Sequence, residues 1–257
     1  MSQDRGDARR ARVEALRTQQ ARRKRAQRNK AIAAVVFLVL VIGAIIGGVL
    51  ASESSHPGAN SGSAQSFCGN VSSGSPNGRQ WSKAPALTID TSAAYAGTLH
   101  TSCGDVPIRL DAKGAPQTVN SFVFLAQQQY FDHTRCHRLT TSGIYVLQCG
   151  DPTGTGSGGP GYTLPDENLT DTRIAKGTYP AGTVAMANTG QAHTGGSQFF
   201  LVYQDSPLPP SYTPFGTMTA DGLKLVQRIG ANGTADGSGD GRPKDDVVIN
   251  SVSVAKG

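Results

Sequence analysis

The sequence predicts a mainly β domain, a closed antiparallel barrel whose ends are capped by two α-helices. Three observations lead to this fold class. Many short segments have the composition and alternation of strands, two segments have apolar residues at helical spacing, and a long glycine-rich stretch, 150–161, interrupts the strands. Short strands joined by turns, with few helices, are typical of barrels and sandwiches.

The chain is organised around residues 183–203, which predict two short strands joined by a polar, glycine-rich loop. In the second strand Phe199 and Leu201 lie on one face, and Phe200 and Val202 lie on the other. A strand that is apolar on both faces belongs inside a closed barrel or against a ligand groove. Amide side chains beside an apolar floor suit a peptide better than a charged metabolite. The alternative is a hairpin packed in a β-core.

The other elements follow from their local patterns. Pro116 suits the first turn of a helix, and Val119, Phe122 and Ala126 continue an apolar stripe to about residue 129. A second, shorter helix is predicted over 221–229. The predicted strands are 95–101, 106–110, 135–139, 144–149, 183–187, 197–203 and 247–254.

The N-terminal 50 residues combine a basic arm with an apolar run. Residues 1–30 hold eleven Lys and Arg against three acids, a net charge of +8, whereas the remainder of the chain has a net charge of −2. Residues 31–50 contain no charged or polar side chain, and a helix of this length spans a hydrocarbon core of ~30 Å. Because the positive charge precedes the run, we expect a single-pass membrane protein with residues 1–30 in the cytoplasm and the main domain outside.

This arrangement makes the lipid bilayer the expected partner of the first 50 residues and argues against nucleic-acid binding by the arm. A cleavable signal peptide is the alternative, although its apolar region is usually only 7–15 residues long. Residues 51–66 are rich in Ser, Gly and Ala and predict a flexible linker. Residues 67–94 form an extension that either docks on the domain or hangs free, and residues 95–257 form the domain itself.

The four cysteines, Cys68, Cys103, Cys136 and Cys149, all fall in the part expected outside the membrane. An oxidising compartment permits two disulfides, with three connectivities. Cys136 and Cys149 lie on the two arms of one predicted hairpin, which favours their pairing. Cys68 would then tie the extension to Cys103. Four buried free thiols are the alternative.

The sequence contains none of the common metal-binding or cofactor-binding motifs. The sequence has no CxxC pair, and its histidines do not have the spacing of metal ligands. Residues 154–159 are glycine-rich but lack the Lys-Ser/Thr ending of a phosphate-binding loop. The sequence therefore predicts no metal and no cofactor.

Several segments, in order and spacing, resemble the cyclophilin family of peptidyl-prolyl cis-trans isomerases. They are FDHTRCHRL at 131–139, VLQCGDPTGTG at 146–156, MAN at 186–188 and GSQFF at 196–200, with PQTVNSF at 116–122 and YTPFG at 212–216. The resemblance extends from about Tyr95 to the C-terminus. It implies an eight-stranded antiparallel barrel capped by two helices. The anchored form with a basic arm is similar to actinobacterial cyclophilins.

The resemblance also implies the site. Arg138 is the essential arginine, Gln148 holds it in place, and Phe200 belongs to the apolar pocket; these three are the expected catalytic residues. The expected substrate-binding residues are Tyr145, Val146, Ala187, Asn188, Gln198, Leu208 and Tyr212. Among them, Ala187 and Asn188 would offer backbone groups to the extended peptide on either side of the proline. The family needs no cofactor, and it acts on proline-containing segments of unfolded or secreted proteins, here as a monomer. A module of the same fold that binds proline peptides without turnover is the alternative.

The chain departs from the family pattern in places. Two extra residues follow Arg138, so Ile144 and Tyr145 compete for the aromatic position of the pocket, and Tyr145 is preferred. Pro207 and Tyr212 stand where many eukaryotic members carry tryptophan and histidine. Because that tryptophan helps to hold cyclosporin, we expect weak cyclosporin binding, and nanomolar inhibition would contradict this expectation.

Overall fold

A computed structural model describes residues 67–257 as one curled antiparallel sheet with two helices. The predicted basic arm, membrane span and linker, 1–66, lie outside the described residues. Within residues 67–257, no helix is both long and apolar enough to cross a bilayer.

The elements agree with the predicted ones to within a few residues, with two differences. The predicted strand 135–139 is divided into two short strands, and two strands, Pro214–Met218 and Asp240–Gly241, are additional to the predicted ones. The helices are α1 (Pro116–Gln127) and α2 (Ala220–Asn232). The strands are β1 (Tyr95–Thr101), β2 (Gly104–Leu110), β3 (Thr134–Arg135), β4 (Arg138–Thr140), β5 (Val146–Cys149), β6 (Thr183–Met186), β7 (Phe199–Val202), β8 (Pro214–Met218), β9 (Asp240–Gly241) and β10 (Val248–Lys256).

The strand order is β3-β10-β1-β2-β8-β6-β7-β5-β4-β9. The ladder of hydrogen bonds does not close, so the prediction of a closed eight-stranded barrel is corrected to a ten-stranded sheet curled into a half-barrel. The reason lies at Cys136 and His137, the two residues between β3 and β4. Neither residue belongs to a strand, and the partners change across them: β3 pairs with β10, while β4 pairs with β5 and β9.

Both faces of β7 are buried, as its sequence predicts. Phe199 and Leu201 join the main core, which lies between the sheet and the helices and includes Phe122 of α1. Phe200 and Val202 point the other way, into a smaller apolar cluster on the opposite face. Burial of both faces makes β7 the strand that joins the core to the outer surface where the candidate site lies.

Helix α1 begins at Pro116 without a side-chain cap of its own. The carboxylate of Glu167, from a distant loop, accepts hydrogen bonds from the backbone N–H groups of Gln117 (3.0 Å) and Thr118 (2.8 Å). A negative charge at this end also complements the helix dipole. In α2, by contrast, Thr219 supplies a local N-cap by accepting a bond from the N–H of Gly222.

The extension 67–94 docks on the domain. A disulfide joins Cys68 to Cys103 at its start. Further along, the ring of Trp81 packs edge-on against Phe124 of α1, with ring centroids 5.1 Å apart. The backbone N–H of Trp81 donates to the carbonyl of Pro160 at 2.8 Å.

Polar contacts secure the rest of the extension. Asn77 donates its side-chain N–H groups to the carbonyls of Gln128 and Gln129, just after α1. The buried Asn120 of α1 accepts from the N–H of Thr88 at 3.0 Å and donates to the carbonyl of Ala86 at 2.9 Å. The extension is thus part of the folded unit.

Candidate active site

A groove of about 490 Å³ lies on the face of the sheet that points away from the main core. Its lining combines apolar, amide and charged side chains: His137, Arg138, Ile144, Val146, Gln148, Thr155, Gly156, Ala187, Asn188, Phe200, Leu208, Tyr212, Asp240, Gly241 and Arg242. Such a mixture of an apolar floor with a few converging polar groups is typical of a binding site.

The first feature of the groove is a chain of amides that begins at Arg138. Arg138 on β4 donates from Nη1 to the Oε1 atom of Gln148 on β5, at 3.3 Å. Gln148 donates to Gln198 at 2.9 Å, and Gln198 donates to the carbonyls of Gly156 (2.9 Å) and Gly158 (3.0 Å). The chain connects the guanidinium to the glycine loop and so orients it.

Arg138 has a second partner that the sequence did not reveal. Its Nε and Nη2 atoms donate to the two carboxylate oxygens of Asp240, each at 2.7 Å. The hydrogen bond to Asp240 raises the pKa of Arg138 above its usual value, and the same bond lowers the pKa of the Asp240 carboxyl group. Both groups are therefore charged at neutral pH.

The apolar half of the groove is formed by Ile144, Val146, Phe200, Leu208 and Tyr212. The ring of Tyr212 meets the ring of Phe200 edge-on, with centroids 5.4 Å apart. Phe200 is almost fully buried, so that it forms the floor while Leu208 and Tyr212 remain partly exposed walls.

The choice of Tyr145 for this pocket is wrong. Its ring points to the opposite side, where it packs against Tyr203 at the edge of the main core, with centroids 6.0 Å apart. Ile144 lies in the groove instead. Side chains alternate along extended chain, so Ile144, Val146 and Gln148 share one face and Tyr145 the other. Tyr145 and Val146 are consecutive and could not both face the groove.

Ala187 and Asn188 line the groove, but one backbone group assigned to the substrate is already engaged. The N–H of Ala187 donates to the carbonyl of Gln198 at 2.9 Å. The side chain of Asn188 donates to the carbonyl of Ser211 at 2.8 Å, which fixes this corner of the rim. The Ala187 N–H is therefore not available to a substrate, and the expected backbone contacts are limited to the other backbone groups of Ala187 and Asn188.

The glycine loop after β5 is organised by Asp151, which is fully buried. Burial alone would raise the pKa of Asp151, but hydrogen bonds from Thr153 and from the N–H groups of Gly156 and Gly158 outweigh it and lower the pKa. Gly150 has a φ of +86°, and a Cβ atom there would lie 2.3 Å from the carbonyl oxygen of Ser197. Only glycine fits this position.

His137 is a further lining residue that the sequence reasoning passed over. Neither of its ring nitrogens has a hydrogen-bond partner among the described residues. Burial lowers its pKa, and of the nearby charges Asp151 opposes this shift while Arg138 adds to it. The ring is therefore neutral at pH 7.

The structure brings most of the expected site together. Arg138, Gln148, Phe200, Val146, Ala187, Asn188, Leu208 and Tyr212 all line the groove. Gln198 lines an adjoining cavity, which Gln148 and Asn188 share. The residues missed are His137, Ile144, Thr155, Gly156, Asp240, Gly241 and Arg242. Alternation with Val146 pointed to Ile144, whereas the others come from loops and from the short strand β9, whose positions no local pattern predicts.

A family model described as cyclophilin type peptidyl-prolyl cis-trans isomerase matches residues 97–254. The chain belongs to the cyclophilin family. The matched residues include every strand that carries the groove, and the fold and the order of the site residues agree with cyclophilin membership.

Named relatives agree with this assignment. The chain is 49% identical over 168 residues to "Probable peptidyl-prolyl cis-trans isomerase B" of Mycobacterium tuberculosis, covering 62% of this chain and 54% of the relative. It is 35% identical over 187 residues to "Peptidyl-prolyl cis-trans isomerase A" of the same species, covering 66% of this chain and 97% of the relative. The chain thus spans about half the length of the first of these relatives.

Among solved structures, a cyclophilin type peptidyl-prolyl cis-trans isomerase of Cryptosporidium parvum matches with a TM-score of 0.52 and 26% identity. The match covers 64% of this chain and 99% of that chain. A second structure of that protein, in the presence of the dipeptide Ala-Pro, matches with the same TM-score.

Proposed function

We propose that this chain is a peptidyl-prolyl cis-trans isomerase that acts on X–Pro bonds of extended peptide segments. The observation that carries the proposal is the position of Arg138. Its guanidinium is held by Gln148 and Asp240 at the edge of an apolar pocket floored by Phe200. The names of the cyclophilin relatives support the same activity.

The reaction requires little more than a pocket and a fixed donor. Rotation about a peptide bond crosses a barrier of ~18–20 kcal/mol, because resonance is lost in the twisted state. The twisted amide nitrogen becomes pyramidal and regains a lone pair. A donor that bonds this nitrogen better than it bonds the planar amide lowers the barrier. Arg138 suits this role because its guanidinium is always charged and presents its donors in a rigid fork.

The pocket would bind the proline ring, and the rim would bind the peptide on either side of it. Ile144, Val146 and Phe200 would hold the pyrrolidine ring, while the carbonyl before the proline turns. Gln198 and the free backbone groups at Asn188 would hold the peptide on either side of the proline. Holding one end of the bond while the other rotates reduces the freedom lost at the transition state.

The test is catalysis by the purified full chain, in mild detergent, of cis-to-trans exchange in a short X–Pro peptide, followed by NMR exchange spectroscopy. The Arg138→Ala variant is measured beside it, with circular dichroism to compare folding. We expect strong acceleration by the wild type and a loss of about 10²-fold or more in the variant. A folded wild type that binds the peptide without accelerating exchange would instead support the non-catalytic peptide-binding module.

We further propose that the chain is a single-pass membrane protein with its isomerase domain outside the cytoplasm. Supporting this are the uncharged run at 31–50, the basic residues before it and the two disulfides of the domain, which suit an oxidising compartment. Alkaline extraction of membranes tests the anchor, and protease added to intact spheroplasts tests its orientation. Release by alkali would contradict the anchor, and protection of the domain would contradict the orientation.

The proposed partners follow from the same features. They are the lipid bilayer through residues 31–50 and proline-containing segments of unfolded or secreted proteins in the groove. We propose a monomer without nucleic-acid partners, because the basic charge lies in the arm beside the apolar run. Light scattering in detergent tests the monomer, and tight, steeply salt-dependent binding of DNA would contradict the absence of nucleic-acid partners.

A further inference from the structure

We propose that Asp240 is a positioning residue for the isomerase reaction, holding the guanidinium of Arg138 in the orientation that serves the substrate. The inference rests on the proposed function and adds to it a residue from β9, the short strand at the edge of the sheet. It begins from the two hydrogen bonds that Asp240 accepts, from Nε and Nη2 of Arg138, each at 2.7 Å.

The hydrogen bonds of Arg138 show which of its N–H donors remain free for a substrate. A guanidinium has five N–H groups in one plane. Asp240 occupies one on Nε and one on Nη2, and Gln148 accepts one from Nη1. One N–H on Nη1 and one on Nη2 remain, and Arg138 lines the groove. A side-on, bidentate carboxylate thus fixes the plane of the guanidinium while two donors stay available for a twisted amide.

Without Asp240 the hold on Arg138 would be weak. Its bond to Gln148 is long, at 3.3 Å, and its side chain is 39% exposed. A half-exposed arginine with one long hydrogen bond samples several rotamers, and the entropy of ordering it would have to be lost at the transition state. The two short bonds to Asp240 remove that disorder before the substrate binds.

Strand pairing, and not only the contact between two flexible side chains, places Asp240 beside Arg138. Asp240 and Gly241 form β9, which pairs with Thr140 and Leu139 of β4, the strand that carries Arg138. The N–H of Thr141 also donates to the carbonyl of Gly239 at 2.8 Å. The carboxylate is therefore attached to the same strand as the arginine that it holds.

Residues 233–244, the segment that contains Asp240, also form backbone hydrogen bonds between their own two ends. The N–H of Ala235 donates to the carbonyl of Arg242 at 2.8 Å, and the N–H of Lys244 donates to the carbonyl of Gly233 at 2.9 Å. These bonds give β9 a fixed backbone although it lies at the edge of the sheet. A pair of exposed charges contributes little to stability, so the value of this contact lies in orientation.

The test compares Asp240→Ala, Asp240→Glu, Asp246→Asn and Arg138→Ala with the wild-type full chain. Asp246 provides the matched control, because it also pairs with an arginine, Arg135, and neither residue lines the groove. NMR exchange spectroscopy gives kcat and KM for an X–Pro peptide. A second readout is the ¹H–¹⁵N signal of the Arg138 Nε–H, assigned by its loss in Arg138→Ala.

We expect Asp240→Ala to lower kcat by about tenfold with little change in KM, as lost pre-organisation should. Its Arg138 Nε–H signal should move upfield and broaden by exchange with water. Asp240→Glu should regain part of the rate and of the signal, and Asp246→Asn should match the wild type in both. A merely structural role for Asp240 would not predict rescue by Glu together with return of the Nε–H signal.

An Asp240→Ala variant that is as active as the wild type, or more active, would overturn the inference, the latter by showing that Asp240 restrains Arg138. Equal rates for Asp240→Ala and Asp240→Glu would overturn it as well. Failure of the proposed function looks different: the wild type and Arg138→Ala would then show the same exchange rate as peptide alone.

Discussion

Arg138 and Gln148 are cross-strand partners, placed opposite each other on β4 and β5 and joined by a hydrogen bond between their side chains. They are ten residues apart, and residues 141–145 connect the two strands. The register of β4 and β5 places the two side chains opposite each other. The sheet, rather than the loop, therefore positions the amide that supports the arginine.

Replacement of Arg138 by Lys tests whether charge alone is sufficient. We expect kcat/KM to fall about 10²-fold, close to the value for Arg138→Ala. A lysine ammonium cannot donate two side-by-side hydrogen bonds to Asp240 and also present planar donors to the substrate. NMR exchange spectroscopy measures the rates, and circular dichroism verifies the fold. A lysine variant with most of the wild-type rate would show that the fork geometry is unimportant.

Substitutions at Ile144 and Tyr145 test which of the two side chains shapes the pocket. Ile144→Ala removes about three methylene equivalents from the groove wall and should reduce kcat/KM by about tenfold. Tyr145→Phe should stay within about twofold of the wild type, because that ring packs against Tyr203 away from the groove. The reverse ranking in the exchange assay would return the pocket position to Tyr145.

The two disulfides should differ in their effect on activity. They close segments of 13 and 35 residues, and either double alanine variant should lose about 2–4 kcal/mol of unfolding free energy in urea titrations. The pair Cys136–Cys149 flanks Arg138 and Gln148, so its loss should also lower the isomerase rate. Loss of Cys68–Cys103, in the extension, should leave the rate of the folded protein unchanged. Equal rate losses would contradict this distinction.

Trp81 is the only tryptophan of the chain and reports on the extension. Its ring contacts Phe124 and Tyr130 at centroid distances of 5.1 and 5.8 Å. Phe124→Ala should shift its fluorescence emission to longer wavelength and destabilise the fold by roughly 2 kcal/mol, since Trp81 loses an apolar neighbour. Val71→Ala, at an exposed position, is the control. An unchanged emission maximum would mean that the extension does not depend on this contact.

His137 should make stability fall in mild acid. Burial lowers its pKa in the folded state below the value of about 6.5 expected when unfolded. The unfolded chain therefore binds a proton first, and folding free energy is lost as the pH falls from above 6.5 towards the folded pKa. Urea unfolding at pH 7.5 and 5.0 should show a larger loss for the wild type than for His137→Gln. Equal losses would remove His137 as the cause.

Much of this protein follows from patterns along the chain. Alternation and helical spacing predict the strands and both helices, since each element depends on which residues it buries. The apolar character of both faces of Phe199–Val202 places β7 between two clusters, as observed. The spacing of the segments around Arg138 and Phe200 is enough to indicate the family and most of the groove.

The tertiary structure decided what depends on distant parts of the chain. Whether the sheet closes depends on the change of strand partners across Cys136 and His137, and strand pairing between distant segments has no local signature in the sequence. Alternation places Ile144 on the same face as Val146 and Tyr145 on the opposite face, and the tertiary structure decides that the first of these faces lines the groove. Asp240 lies 102 residues after Arg138 in a glycine-rich segment, and two charges so far apart in sequence meet only because β9, which contains Asp240, pairs with β4.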